Sequence, residues 1–417
     1  MSLIAAMTGN RGAPKPPRHR RLVTAVVVLT LVSWGSSGVP AAPFHPSNEA
    51  QILEHLPAAG TEQMRELRQL RGRLADQPEN IDLAVHLARL YVELGRAEAD
   101  PRYYGYAQAA LLPWWDRPAP PPDILLLRAT LRQSQHDFPG ALSDLSQVLD
   151  QDPSSAQAWL TRAVILRVTG DFAEARRACA HLVRLASALI STACIADIAS
   201  LNGDGERSYQ ILHRQFGQSE GIGNPERLWV LTSLAETAAR LGDTSAAEAH
   251  FRAALSLDLR DPYLLGAYAD FLLDEGRPVE ARELVRDETR IDGLVLRLAL
   301  AEDAVDGGRR TDIGQTARIR DLQARFEASH RRQETVHRRE EAWFTLKLLR
   351  DPPKALGIAL ENWAVQRETW DARIVLEAAL AAGDRAAAEP VVKWLAASKL
   401  QDVLLEPLVA RLRGTHP

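Results

Sequence analysis

Apolar and polar positions recur along the chain at an interval of 34 residues. Residues 126–145 (LLRATLRQSQHDFPGALSDL) align at that offset with residues 160–179 (LTRAVILRVTGDFAEARRAC). Among the residues of the first copy that are identical in the second are Arg128, Ala129, Asp137, Phe138 and Ala141. The same offset relates residues 234–251 to residues 268–285. A fixed interval of this length is typical of a supersecondary unit repeated in tandem.

Each unit predicts two helices joined by a short turn. Apolar residues are spaced by three and four over two stretches of about a dozen residues. Between the stretches stand pairs such as Gly170-Asp171 and Gly242-Asp243. Glycine can take the left-handed conformation that ends a helix, and aspartate can cap the next one. One hairpin cannot bury its apolar faces alone, so the copies must stack into an all-α solenoid of six or seven units.

The small-residue pattern resembles the tetratricopeptide repeat. The matching positions are Ala129, Ala163, Gly170, Ala175, Ala235, Gly242, Ala247, Ala269, Gly276 and Ala281. The resemblance is specific over residues 122–290, although Arg128 and Arg162 replace apolar residues and His136 replaces a turn glycine. It implies a right-handed superhelix that binds a peptide or a protein surface in its concave groove. Residues 100–115 and 359–384 also resemble segments of secreted bacterial tetratricopeptide proteins of undefined role.

The N-terminus has the layout of a secretory signal. Basic residues from Arg11 to Arg21 precede an apolar run at 22–34, and Val39-Pro40-Ala41 suits cleavage after Ala41. This predicts a periplasmic or secreted protein. The run is shorter than the roughly 20 residues of a membrane span. An uncleaved helix that anchors the protein in the inner membrane is the alternative.

Charge and motifs narrow the function classes. The chain has 50 Lys and Arg against 54 Asp and Glu; loss of the five basic residues before position 42 leaves a net charge of −9. An acidic body is unsuited to nucleic acid, so we expect none as a partner. A Gly-rich phosphate loop, a nucleophile elbow and a His-Glu-x-x-His motif do not appear in the sequence, so we expect no enzyme activity, cofactor or metal. The spacing of His330, Glu334 and His337 is likewise not typical of a zinc site.

An enzyme on an α/α scaffold, such as a glycan-processing toroid, is the rival hypothesis. Its acids would converge in a central cleft. The 34-residue unit is short for such a toroid.

Composition divides the chain into segments. Residues 306–341 carry dense charge and predict a long helix with one solvated face. The predicted segments are a signal peptide (1–41), a flexible linker (42–60), N-terminal helices with a diverged repeat (61–115), a Pro-rich spacer (116–122), the repeat array (123–305), and C-terminal helical repeats that cap the solenoid (306–417).

The concave groove supplies the candidate binding residues. Mixed charge with a few aromatic side chains suits an extended peptide, although scattered solvated surface is the alternative. The Lys and Asn set with which some family members hold a C-terminal carboxylate is not evident. The candidates are Arg89, Arg167, Trp229, Glu236, Arg240, Tyr263, Asp270, Trp370 and Arg373.

Cys179 and Cys194 are the only two cysteines of the chain. They lie equally far from the predicted helix junction at 186–187, so an antiparallel hairpin would bring them opposite one another. A disulfide and two buried thiols are both compatible with this spacing, because packed helix axes usually lie 8–10 Å apart.

Overall fold

The computed structural model describes residues 62–309, 313–332 and 334–414, and this part of the chain is helical without strands. The predicted signal peptide and linker lie outside these residues. The helices are α1 (Glu62–Asp76), α2 (Ile81–Ala97), α3 (Arg102–Ala110), α4 (Leu112–Trp115), α5 (Pro122–Ser134), α6 (Phe138–Gln151), α7 (Ala156–Val168), α8 (Phe172–Leu182), α9 (Ala188–Ser200), α10 (Gly205–Gln218), α11 (Asn224–Arg240), α12 (Thr244–Leu255), α13 (Pro262–Asp274), α14 (Pro278–Val285), α15 (Asp292–Val305), α16 (Ile313–Arg331), α17 (Arg338–Phe344), α18 (Pro352–Trp363), α19 (Thr369–Ala382), α20 (Glu389–Ser398) and α21 (Leu405–Arg413).

The helices form hairpins that stack in chain order. From α5 to α14 each odd-numbered helix pairs with the one that follows. The first helices of successive hairpins, α5, α7, α9, α11, α13 and α15, also contact one another and form the inner face. The predicted all-α solenoid of hairpins is therefore confirmed. The charged segment 306–341 is not one long helix, because α16 ends at Arg331 and α17 begins at Arg338.

The turns between paired helices have the predicted geometry. Gly170 and Gly242 have φ of +82° and +81°. The aspartate after each glycine accepts a hydrogen bond from a backbone N–H of the next helix, at 3.2 Å and 3.0 Å. His136, which replaces a turn glycine, also has a positive φ of +61°. A left-handed residue that ends a helix is therefore retained where the sequence departs from the pattern.

Arg128, another departure from the pattern, forms a buried ion pair. It is 4% exposed, and its guanidinium donates to both carboxylate oxygens of Asp144 at 2.7 Å and 2.9 Å. It also donates to the carbonyl oxygens of Trp115 and Arg117. These carbonyls lie at the start of the Pro-rich spacer, so Arg128 fixes the spacer to the first repeat. Burial of this charge is tolerated because its donors are satisfied.

The C-terminal region packs on α15 and also folds back over earlier repeats, which the sequence analysis did not predict. Residues 366–403, here called the return segment, lie along the turns of earlier hairpins. The Arg367 N–H donates to the Val168 carbonyl at 2.8 Å, and the Val403 N–H donates to the Arg240 carbonyl at 3.0 Å. The reason is curvature: a superhelix brings together units that are far apart in sequence.

Turn glycines allow the return segment to approach closely. A Cβ built on Gly203 would lie 3.2 Å from the Cβ of Lys399, and one on Gly242 would lie 3.2 Å from Cγ1 of Val403. A Cβ on Gly276, in contrast, would meet nothing within 4 Å. Glycine at the first two positions therefore serves both the backbone conformation and the contact.

Cys179 in α8 and Cys194 in α9 form a disulfide, with their Cα atoms 5.7 Å apart. Both cysteines are buried in the core between these helices. The bond links the second helix of one hairpin to the first helix of the next.

None of the helices that the structure describes is long and apolar enough to cross a membrane.

A pair of glycine variants separates backbone strain from loss of the return-segment contact. Gly276→Ala should lower the free energy of unfolding by roughly 1–2 kcal/mol, because alanine is strained at positive φ. Gly242→Ala should cost about 1 kcal/mol more, since its methyl group also crowds Val403. Urea unfolding of both variants measures the difference. Equal losses would contradict the close packing of the return segment.

Candidate binding channel

A channel runs between the inner face of the repeats and the C-terminal helices. It consists of three adjoining cavities of about 250, 240 and 330 Å³ within the part of the chain that the structure describes. Helices α7, α9, α11, α13 and α15 line one side, and α17 and α19 line the other. Glu236 on α11 borders all three cavities. The first helices of the hairpins thus supply the repeat side of the channel.

Eight of the nine predicted groove residues line this channel. Arg89 does not: it pairs with Asp123 at 2.6 Å, where α2 packs against α5. The channel begins at the C-terminal half of α5, so α2 lies beyond its end. The eight residues are Arg167, Trp229, Glu236, Arg240, Tyr263, Asp270, Trp370 and Arg373.

Several of these charges bind the chain's own residues across the channel. Arg167 pairs with Asp197 at 2.7 Å and with Glu368 of the return segment at 2.6 Å. Arg373 makes two hydrogen bonds of 2.7 Å to Asp274. These arginines therefore hold the return segment against the repeats, and the groove is narrower than the open trough that the sequence suggested.

Two further predicted residues have partners within the repeats. Asp270 binds Arg297 at 2.6 Å and 2.7 Å. Arg240 donates to the hydroxyl oxygens of Ser200 and Thr237 at 2.8 Å and 3.2 Å.

Arg339 is a central residue of the channel that the sequence analysis missed. Its guanidinium binds Glu368 and Asp371, each at 2.6 Å, and Asn362 donates to the same aspartate at 2.7 Å. Glu368 and Asp371 also form a capping box at the start of α19. The dense charge of the segment before α17 resembled a solvated surface, and the sequence offered no signal that Arg339 is enclosed.

Burial and ion pairing shift the pKa values of channel residues in opposite directions. Burial raises the pKa of Asp270 to about 6 despite its pairing with Arg297. Burial also opposes ionisation of Glu368, but Arg339 and Arg167 outweigh it and lower the pKa to about 2. Glu368 is therefore a permanent anion that joins two guanidinium groups.

Aromatic side chains line the channel between the charges. Tyr263 is 46% exposed, and its hydroxyl donates to Glu236 at 2.7 Å. Because Tyr263 borders the first two cavities, its exposed surface faces the channel. Trp370 is covered by the guanidinium of Arg373 at 4.7 Å from the ring centre. The half-buried Trp229 borders the first cavity.

Metal ligands do not converge in the described part of the chain: no three His, Cys, Asp or Glu side chains there are placed to hold an ion. His330 binds Glu341 at 2.7 Å, and Glu334 binds Arg332 at 2.6 Å.

His136, at the end of the channel, predicts a pH dependence of stability. The side-chain amide Nε2 of Gln366 donates a hydrogen bond to Nδ1 of the His136 ring at 3.0 Å. Burial, and then Arg339, lower its pKa from 6.5 to about 4. As the pH falls, His136 is therefore protonated in the unfolded chain at a higher pH than in the folded chain. The stability that neutral His136 contributes is complete above pH 6.5 and is lost as the pH falls toward 4.

The variant His136→Asn isolates this effect, because asparagine tolerates the left-handed conformation but does not titrate. Between pH 7.5 and pH 5 the wild type should lose about 1–2 kcal/mol more stability than the variant. The opposing contribution of Asp270 is present in both proteins and cancels. Urea unfolding at the two pH values measures the difference. Equal losses of stability in the wild type and the variant would refute the titration of His136 as the cause.

Comparison with known proteins identifies the repeats. Residues 126–189 and 232–293 match the tetratricopeptide repeat family. No curated protein matches the chain. Solved structures that resemble it include a tetratricopeptide repeat protein from Parabacteroides merdae (15% identity, 58% of this chain, 92% of that chain, TM-score 0.41). Another is yeast Tom70 (11% identity, 85% of this chain, 92% of that chain, TM-score 0.34). A third is a human IFIT1 dimer with PPP-AAAA (13% identity, 85% of this chain, 85% of that chain, TM-score 0.40).

The family match covers the two segments in which the sequence shows its 34-residue interval, and the structure folds them as stacked helical hairpins. Residues 126–189 and 232–293 of this chain are therefore tetratricopeptide repeats.

Proposed function

We propose that this protein is a non-catalytic periplasmic scaffold that binds a segment of a partner protein in the channel. Tetratricopeptide repeats serve protein interaction in general, which supports a scaffold. The observation that carries the proposal is the convergence of eight predicted groove residues on one channel, with the exposed ring of Tyr263 inside it.

The shape of the channel favours an extended segment over a folded surface. The return segment lies along one side of the groove and is bound to the inner helices by ion pairs, which leaves less room for a globular partner than for an extended chain. An extended chain can thread between helices and place side chains into successive cavities. Tyr263 and Trp229 supply the rigid aromatic surface that usually carries most of the binding energy.

Export rests on the sequence of residues 1–41. The basic stretch, the short apolar run and Ala41 form a secretory signal. The disulfide between Cys179 and Cys194 is consistent with this compartment, because disulfides persist in an oxidising environment such as the periplasm. A protein that keeps residues 1–41 as an inner-membrane anchor is the second candidate, favoured by the apolar run itself.

Crosslinking in cells tests the scaffold. A photo-activated side chain placed next to the channel should trap a partner, and Tyr263→Ala and Trp229→Ala should each reduce the trapped product about tenfold or more, as expected for hot-spot residues. Tyr106→Ala is the matched control, because Tyr106 is 52% exposed and lies outside the channel. Equal trapping in all three variants would contradict binding in the channel.

Mass spectrometry of the protein from its native host tests export. The mature chain should begin at Ala42 and contain no thiol that can be alkylated before reduction. Detection of residues 1–41 would favour the anchored form. Two free thiols in the mature chain would argue against an oxidising compartment.

A further inference from the structure

We propose that the first cavity, which lies between Gln133 and Tyr263, binds a cationic group: the ammonium or guanidinium of a basic side chain or of a free polyamine. The inference rests on the proposed function, because it gives the chemical class of what the channel takes up. It differs from carboxylate recognition, for which the sequence shows no Lys and Asn set.

The charges around this cavity are predominantly negative. Among the described residues that line it are five carboxylates and two guanidinium groups, and His136 is neutral at pH 7 because its pKa is about 4. Both guanidinium groups are already paired: Arg167 with Asp197 and Glu368, and Arg339 with Glu368 and Asp371. An anionic ligand would therefore meet no cation that is not already in an ion pair. A cationic ligand would lower the excess negative charge.

Two of the carboxylates have no ion pair. Glu236 accepts a hydrogen bond from the Tyr263 hydroxyl at 2.7 Å and forms no salt bridge in the described structure. Burial raises the pKa of Glu236, which shows that its neighbours do not fully compensate the charge. Glu340 is half-buried and lies within Coulombic range of Arg297 and Arg339, but it forms no hydrogen bond or salt bridge with a described residue. A partly buried carboxylate outside any salt bridge is poorly compensated, and a bound cation would supply the missing opposite charge.

Gln133 supplies an independent observation. Its side chain lines the same cavity and is 5% exposed, yet its Oε1 atom has no hydrogen-bond partner among the described residues. Buried polar atoms in proteins are nearly always paired, so an orphaned acceptor beside a cavity points to a donor from outside the chain. Carboxylates and an amide oxygen are all acceptors. The complementary groups are an ammonium with three donors or a guanidinium with five.

The remaining walls suit a cation of side-chain size. Trp229 and Tyr263 border the cavity, and aromatic faces attract cations within about 6 Å. The volume of about 250 Å³ is below the usual range for drug-sized ligands, so it fits one basic side chain or a slender amine.

Isothermal titration calorimetry on the mature full chain at low salt tests the proposal with three probes: tetralysine, spermidine and tetraglutamate. We expect the two cations to bind and tetraglutamate not to bind. Binding of tetralysine alone identifies a basic segment of a protein as the source, whereas binding of both cations extends the site to free polyamines. Absence of cation binding, or equal binding of tetraglutamate, overturns the inference.

Two neutralising variants locate the site. Glu340→Gln should weaken cation binding about tenfold, because it removes a charge-assisted partner but no contact within the fold. Glu406→Gln is the matched control: it removes an exposed carboxylate on α21 that has no ion pair in the described structure and lies outside the channel. Thermal melting establishes that both variants are folded. Equal effects of the two variants would indicate a general surface attraction and refute the site.

The outcomes separate this inference from the proposed function. A partner that crosslinks through Trp229 and Tyr263 in the absence of any cation binding would leave the scaffold intact and refute the cation site. Cation binding that Glu340→Gln weakens and Glu406→Gln does not, without a crosslinked partner, would support the site and refute the protein scaffold.

Discussion

The close approach of the return segment to the row of left-handed turns determines the shape of the inner groove in the part of the chain that the structure describes. Backbone hydrogen bonds at Val168 and Arg240 fix residues 366–403 along the edge of the repeats. They form because glycine at positions such as 203 and 242 leaves no Cβ in the way. Without this contact the inner face would be an open trough. With it, the inner face becomes one wall of a channel.

The ion pairs of the channel follow from that closure. Arg167 and Glu368 are 201 residues apart in sequence and 2.6 Å apart in space. Buried pairs of this kind add little net stability, because desolvation offsets most of the attraction. Leaving one partner of such a pair buried without the other is nevertheless costly. The ion pairs therefore oppose any shift of the return segment along the repeats. The inner face is therefore rich in arginine for a structural reason, and only the charges left over are available to a ligand.

The helical hairpins and their turns were predictable from the sequence. The packing of the return segment against the inner face of the repeats was not. The 34-residue interval identified the hairpins, and Gly170-Asp171 identified the turn and the cap, because these features depend on neighbouring residues. The same periodicity indicates which face of each first helix is inward, and eight of the nine predicted groove residues line the channel. Arg339 was missed because its partners Glu368 and Asp371 lie on a different helix. A periodic pattern carries no information about which distant helix the curvature brings opposite.

The excess of carboxylates over arginines around the first cavity also follows from the packing of the return segment and α17 against the repeats. Four channel arginines, Arg167, Arg297, Arg339 and Arg373, each meet at least one carboxylate, and the acids outnumber them among the residues that line the described channel. A sequence with excess acid could place all of it on the outer surface, where water stabilises it. Glu340 instead lines the first two cavities, half-buried, and forms no salt bridge with a described arginine or lysine. Retaining a charge where solvation is poor is unfavourable for folding alone, and it becomes intelligible when the cavity has an occupant of opposite charge.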